Sequence, residues 1–304
     1  MNPSIPIKII GAGNGEEVIV NGPGARNITL GEGQVQGIYE TPVDVEYSRA
    51  RKQRGATFKG LELPDRQMTL GFNVVGGHGL EWSDEHQFLR SLFTYQLDPW
   101  WDEDELARIV AGVKDDIREL HIAMSEEPDF NPDLDPEHQR YGNVFYKLIA
   151  AQPLWESPTE VTVWETSGSS GSGLIPCSNP TDQTMYQTLK LTRGIWTAPD
   201  VSWVGAPRRR KPGGVYGTRT IPLQPVTSQH GTVEISLDPM KVMFRDAGKS
   251  NVTGQVGGNY FFMHPIPPHT PLTMLPISVT GAPAGGARAE LHQPRLWGSF
   301  VGGY

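Results

Sequence analysis

Glycine or proline interrupts this chain about every fifth residue, 35 glycines and 26 prolines in 304, and that punctuation limits what it can fold into. Long helices do not survive it, because an interior Gly costs about 1 kcal/mol relative to Ala and Pro about 3 kcal/mol. Short strands joined by turns do. Between Ile7 and Tyr47 the β-type pieces IKII, VIV, NITL and VDVEY alternate with Gly, Pro and Asn clusters, which predicts hairpins and loops. The stretch Arg66–Val75 places Met68, Leu70, Phe72 and Val74 at period two, the pattern of a half-buried strand. Ile117–Met124 alternates Leu120, Ile122 and Met124, and Asn143–Ala151 (NVFYKLIAA) is rich in β-formers. Further on, TLKLT, TIPLQPV, TVEISLD, KVMF, NYFFM, LTMLPISV and ARAELHQPRLW recur at intervals of about ten residues, the signature of an antiparallel sandwich or jelly roll.

One segment reads as a helix against this background. Ser83 is placed to cap it, Asp84 and Glu85 suit its first turn, and Phe88, Leu89, Leu92 and Phe93 form an apolar stripe. A second helix is expected over Asp102–Ala111, with acids at its start and Gly112 as a stop, although ARIVAGV also suits a strand. Residues 166–173 (TSGSSGSG) hold no apolar anchor and read as a flexible connector. The expected organisation is therefore a first domain over 1–165, a Ser/Gly linker over 166–173, and a second domain over 174–304.

Charge and cysteine usage narrow the function classes. A net charge of -8 disfavours nucleic acid as a bound ligand, since neutralising phosphates requires a basic face. The single Cys177 excludes an intramolecular disulfide framework and a thiolate zinc site, and suits assembly in a reducing cytosol. No apolar run approaches the roughly 20 residues of a membrane helix, and MNPSIPIKII lacks the layout of a secretory signal. Gly11-Ala12-Gly13-Asn14-Gly15 imitates a dinucleotide turn, but Glu16 stands where the third glycine belongs and EEVIVNGPG leaves no room for the helix that receives the pyrophosphate. In PDFNPDLDPEH, Asp129, Asp133, Asp135 and Glu137 are oxygen donors without the Gly of a calcium-binding loop, so a solvated loop is expected. His264 and His269 flank PIPP with no third ligand nearby in sequence. No serine-nucleophile elbow is present, and no catalytic, cofactor or metal set is expected.

Two basic clusters remain: Arg49, Arg51, Lys52 and Arg54 in SRARKQR, and Arg208, Arg209, Arg210 and Lys211 in PRRRK. Each reads as a solvated loop or as a dock for an acidic surface of a neighbouring subunit, with nucleic-acid contact a remote third reading. The first is the better candidate for inter-subunit contact, because it abuts GATFKGLELP, a hairpin-like segment too polar for a core. The eight tryptophans read first as core or inter-subunit packing. Trp196 and Trp203 are the candidates for a carbohydrate surface.

The order of these features carries more than any one motif. RQMTLGFNVV, the helix with Phe88 and Phe93, KLIAAQPLWES, the Ser/Gly stretch, NPTDQTMYQTLKLTRG, VEISLDPMKVMF, PLTMLPISVTG and the closing ARAELHQPRLW together resemble the distal tail protein family of siphophages, close to actinobacteriophage minor tail proteins. That resemblance implies a mainly β fold: an N-terminal β-sandwich-like, tail-tube-like domain with one or two helices, and an outer galectin-like or carbohydrate-binding-module-like antiparallel sandwich. It implies a non-enzymatic structural component of the bacteriophage virion, built in the host cytoplasm and located at the tail tip. The component would be a homo-hexameric ring joining the tail tube to the baseplate, with DNA passing its lumen without specific binding. The implied partners are the tail tube protein, the tape measure protein and the tail hub or tip proteins. A host-glycan-binding adhesin module is the alternative. One departure is the segment Asp102–Arg140, longer and more acidic than the family pattern, which suggests an extra loop contacting another tail component.

Overall fold

The computed structural model describes residues 5–13, 15–101, 103–113 and 116–303. The chain divides into two compact units, one formed by residues up to Ser157 together with Gly298–Gly302, the other by Pro158–Trp297. Both are mainly β, as the spacing of turns predicts.

The first unit contains β1 (Ile7–Ile10), β2 (Glu17–Asn21), β3 (Ile28–Gln36), β4 (Asp44–Ser48), β5 (Thr57–Glu62), β6 (Arg66–Val75), α1 (Trp82–Ser91), β7 (Ala107–Val113), β8 (Asp116–Met124), α2 (Pro136–Gln139) and β9 (Tyr141–Ala150). Antiparallel pairing orders β2, β1, β7 and β8 in one group and β3, β6 and β9 in another. The end of β8 turns the corner between them, pairing Ala123 with Ile149 and Met124 with Leu148. Met68, Leu70, Phe72 and Val74 are all buried, so the period-two reading of β6 holds. The segment leaving helix α1 closes this core: Phe93 lies 6.2 Å from Phe72 and 4.8 Å from Tyr146, whose hydroxyl burial pushes its pKa up to about 12. The cap of α1 is Glu81 rather than Ser83. The Asp84 carboxylate accepts from the Glu81 backbone N–H at 3.2 Å, and Ser83 is exposed.

The expected second helix is a strand, β7. Ala107, Ile109 and Ala111 are buried alternately and pair with β1 on one side and β8 on the other. Period two wins because these apolar side chains find a sheet on both edges, and Ile109 and Val110 are β-branched. Asp102, where the helix was expected to begin, lies outside the described residues. The same pairing shrinks the supposed extra loop of 102–140, since β7 and β8 are core strands, and among the described residues the loop comprises 103–106 and the stretch from Ser125 to α2.

The last described residues of the first unit return from the far end of the sequence. Phe300 is buried, 5.4 Å from Trp155 and 5.2 Å from Tyr39, and Glu40 bridges to Ser299. Two buried arginines hold this segment. Arg66 donates from Nε to Pro153 O (2.8 Å), from Nη1 to Ile38 O (2.8 Å), and from Nη2 to Thr41 Oγ1 (2.8 Å) and Gly298 O (3.1 Å). Arg118 donates to Ser299 O (2.5 Å) and Gly302 O (2.8 Å) while pairing with both oxygens of Asp116. Burial lowers the Arg66 pKa to about 10, so its guanidinium stays charged at neutral pH.

Strand β10 (Trp155–Thr166) leads into the second unit, which contains β11 (Gly171–Asn179), β12 (Thr188–Leu191), β13 (Ile195–Pro199), β14 (Trp203–Val204), β15 (Lys211–Pro212), β16 (Thr220–Pro222), β17 (Val233–Ser236), β18 (Phe244–Asp246), β19 (Thr270–Thr280) and β20 (Ala287–Trp297). One sheet runs β11, β19, β13, β16, and a second face is built from β18, β17, β12 and β20. Ile175, Ile277 and Trp196 from the first meet Leu191, Ile235 and Ala289 from the second in one core, which makes this unit a sandwich.

Two expectations fail here. The Ser/Gly stretch is not a linker, because residues 167–170 are a bend between β10 and β11 and the units part at Ser157. The boundaries 1–165 and 174–304 therefore move. Small residues are needed at the bend because another loop packs on it. Ala282 N–H donates to Ser169 O at 2.9 Å, and Gly286, at φ +89°, points its Cβ direction within 1.7 Å of Thr166 O, where only glycine fits. NYFFM is not a strand either. It is irregular backbone captured by the buried Asp200 carboxylate, which accepts from Met263 N–H and His264 N–H at 3.0–3.1 Å.

Candidate functional site

Strands β4 and β5 pair only with each other, in a two-stranded hairpin of the first unit. Register sets Val45 opposite Leu61 and Tyr47 opposite Phe58, so these four side chains share one face, and Val43 continues the stripe. All five lie exposed. Tyr47 keeps 61% of its surface, Phe58 57% and Leu61 55%, although the Tyr47 and Phe58 rings touch edge to face at 5.9 Å. Asp44, Glu46 and Glu62 take the opposite face. An isolated two-stranded ribbon is marginal in water. An amphipathic one with its apolar face uncovered presents an exposed apolar patch, the kind of feature found at interaction surfaces.

The tip of this hairpin carries the first basic cluster. Arg49, Arg51, Lys52 and Arg54 are all exposed, and the turn is fixed by Ala50 N–H donating to Gln53 Oε1 (2.9 Å), by Gln53 Nε2 donating to Thr57 Oγ1 (2.8 Å), and by Lys52 in the left-handed region at φ 71°. The structure thus joins four cations to the segment GATFKGLELP that the sequence marks as too polar for a core. What the sequence does not reveal is the shared apolar face, because GATFKGLELP alone shows no clean alternation. The Lys59 bulge between Phe58 and Gly60 shifts its phase.

The other predicted residues separate. Arg208, Arg209, Arg210 and Lys211 sit on the small β14–β15 ribbon of the second unit. Trp196 is fully buried, edge to face with Trp164 at 5.9 Å, its Nε1 donating to Thr192 O at 2.7 Å. It therefore offers no face to a sugar. Trp203 is half-buried and packs against the same core. His264 and His269 do not converge. His264 Nδ1 lies 3.0 Å from Asp200 O, and its ring is 5.5 Å from Tyr216. Asp200, paired with Arg219 at 3.1 Å, is the buried charge that sequence reading missed, since its partners lie far along the chain. In the acidic loop, Asp135 caps α2 by accepting from Glu137 N–H (3.0 Å), and Asp129 bridges to Phe145. Gly11 to Gly15 link β1 to β2, with Asn14 outside the described residues. Among the described residues no three His, Cys, Asp or Glu side chains group as a metal site, and no helix is long and apolar enough to cross a membrane.

The sequence matches no protein-family model and no curated protein. Among solved structures the chain is similar to the Dit protein of phage SPP1, described as a paradigm of the hub adsorption apparatus in phages infecting Gram-positive bacteria. The TM-score is 0.57 at 10% identity, over 95% of this chain and 98% of that one. Weaker likenesses are to the baseplate of phage P2 in its activated conformation, with Ca (TM-score 0.47, 8% identity, 96% of this chain and 98% of that one) and with Sr (0.47, 7%, 96% and 98%). The expected resemblance to distal tail proteins is met at the level of fold, across nearly the whole chain.

Proposed function

We propose that this chain is a non-enzymatic structural component of a phage tail tip, a distal tail protein whose copies close into a hexameric ring between tail tube and baseplate. The observation that carries the reading is the fold, shared with SPP1 Dit from end to end although only one residue in ten is identical. The uncovered face of the β4–β5 hairpin supports the ring. A second copy is its occupant: the apolar stripe of Val45, Tyr47, Phe58 and Leu61 seeks cover, and the cations at its tip suit a protein whose net charge is -8. Such contacts are heterologous, and heterologous contacts close into rings when the rotation permits. The lumen of such a ring is proposed to be acidic and to let DNA slide, the converse of counterion release. The outer role belongs to the sandwich of the second unit, and the tail tube, tape measure and hub proteins are the proposed partners.

The test is electron microscopy of the purified protein with antibody labelling of virions. Rings of uniform diameter, and label at the tail end, are expected. Substituting Tyr47→Ser and Phe58→Ser together should abolish rings while leaving the monomer folded by circular dichroism. A protein that stays monomeric alone and on purified tail tubes, or label on the capsid, would refute the reading.

A further inference from the structure

A second aromatic surface of the first unit lies between α1 and β7. There the chain reads Tyr95-Gln96-Leu97-Asp98-Pro99-Trp100-Trp101, and all seven residues are exposed. Trp100 keeps 93% of its surface. Tryptophan carries a large apolar area and is among the most frequent anchors of protein interfaces. The backbone beneath it is fixed. Trp100 N–H donates to Asp98 Oδ1 (2.9 Å), Asp98 N–H to Asp104 Oδ2 (2.5 Å) and Asp104 N–H to Trp101 O (3.1 Å). Both ends are tied to the turn after β1, by Ala12 N–H donating to Leu92 O (2.9 Å) and Gly13 N–H to Glu105 O (3.0 Å). A surface held this way loses little freedom when something docks on it.

Every charged residue between Ser91 and Ala107 is an acid. Among the described ones, Glu103 is exposed, Asp98 and Asp104 each spend one oxygen on a backbone N–H, and Glu105 pairs with Arg108 at 3.5 Å. The β4–β5 hairpin is alike in its rings and opposite in charge. Tyr47, Phe58 and Leu61 are exposed on its face, and Arg49, Arg51, Lys52 and Arg54 stand at its tip. Both surfaces stay exposed in one chain, so a chain does not cover its own hairpin with its own loop.

We infer that the hairpin of one copy docks on the tryptophan loop of the next. The rings of Tyr47 and Phe58 meet Trp100 and its neighbours, and the basic tip meets the acids, where a guanidinium also finds an indole face. The two surfaces lie at different places on the chain, so the contact is heterologous and passes from copy to copy, as a ring requires. This docking rests on the ring reading and adds the surface that receives the hairpin. The edge of a lipid bilayer also attracts tryptophan. Its anionic headgroups, however, draw bases and repel the acids around this loop.

Cross-linking between copies of the full chain tests it. Lys59→Cys marks the hairpin beside Phe58, and Pro99→Cys marks the loop beside Trp100. Both positions are exposed, and the native Cys177 is buried. With a short bis-maleimide, a mixture of the two variants should give covalent dimers that neither variant gives alone. Trp100→Ala should raise the concentration at which rings form by about tenfold or more, the effect of losing an interface anchor. Glu103→Lys should raise it too. Glu127→Lys is the control, because it makes the same charge change on an exposed residue outside the loop. Dimers as abundant from one variant alone, no dimers from the mixture, or equal effects of Glu103→Lys and Glu127→Lys would each overturn the inference. If Tyr47→Ser with Phe58→Ser abolishes rings while Trp100→Ala leaves them intact, the ring reading stands and the tryptophan loop is not the receiver. Loss of binding to phosphatidylcholine vesicles in that same Trp100→Ala protein would assign the loop to lipid instead. If the wild type forms no ring, alone or on tail tubes, both readings fall.

Discussion

Replacing Phe300 with alanine tests whether the far end of the sequence belongs to the core of the first unit. The ring is 1% exposed and wedged between Trp155 and Tyr39, with centroids 5.4 and 5.2 Å away. Removing it leaves a cavity the backbone cannot collapse, because Arg66 and Arg118 pin the carbonyls of Gly298, Ser299 and Gly302 on either side. A fully buried Phe replaced under such constraint costs about 3–5 kcal/mol. For a unit of this size each kcal/mol moves Tm by about 2–4 °C, so the transition of the first unit should fall by roughly 10 °C. The assay is thermal unfolding by circular dichroism, run beside the rate of Cys177 labelling by a thiol reagent. Cys177 is buried in the core of the second unit and reports its opening alone. Labelling should stay slow in Phe300→Ala. If Tm moves by less than about 2 °C, or if Cys177 labelling accelerates as unfolding does, Phe300 is not a core residue of the first unit.

Other expectations follow from the same geometry. Burial raises the Cys177 thiol to a pKa of about 12, so the native protein should resist thiol reagents at pH 8 and label fully in denaturant. His86 is stacked on Trp82 at 4.7 Å and beside Phe130 at 5.2 Å, and burial, then Arg90, lowers its pKa. The unfolded state therefore binds more protons near the ordinary His value, so stability of the first unit should fall as pH drops through about 6.5. Melting curves at pH 7.5 and 5.5 should show that loss in the wild type and less of it in His86→Phe. Arg66→Lys keeps the charge but loses the fork that reaches Pro153 O and Ile38 O, and an orphaned buried carbonyl costs about 1–3 kcal/mol. Urea denaturation should show a loss in that range or above, and an unchanged midpoint would remove Arg66 from its bracing role.

Much of the β layout is written locally. In β6 the four alternate apolar residues are the whole signal, and the sheet buries all four. The misreadings arise where a distant residue decides the outcome. ARIVAGV satisfies a helical stripe and a strand equally well by itself, and β1, about a hundred residues earlier, tips it to strand by pairing Ile9 with Ile109. The Ser/Gly stretch has the composition of a linker, yet Ala282 and Gly286 pack on it from more than a hundred residues downstream. NYFFM has strand composition, but at its end Asp200 accepts the amide protons of Met263 and of the following His264. In each case the winning contact has no local trace, and composition describes only the half of the interaction that is nearby.

The candidate site turns the same argument around. Val43, Val45 and Tyr47 alternate as cleanly as Met68, Leu70 and Phe72, so by periodicity the two strands deserve equal burial. The chain covers one and leaves the other in water, with Phe58 and Leu61 beside it. Local pattern states that a face is apolar. Only the fold states whether the chain itself supplies the cover. Where it does not, the unmet half of the pattern measures what must come from outside: about 1 kcal/mol for each half-exposed side chain returned from water, on the order of several kcal/mol for the stripe. That is too little to hold two copies together alone, since association costs at least about 4 kcal/mol before any affinity appears. It becomes sufficient when ring closure makes the last contact intramolecular. The hairpin should therefore be weak in a pair and strong in a closed ring, so that dilution takes the assembly from ring to monomer with little dimer between. Analytical ultracentrifugation across a dilution series reads this directly, and a stable, abundant dimer would show that another surface, not this hairpin, joins the copies.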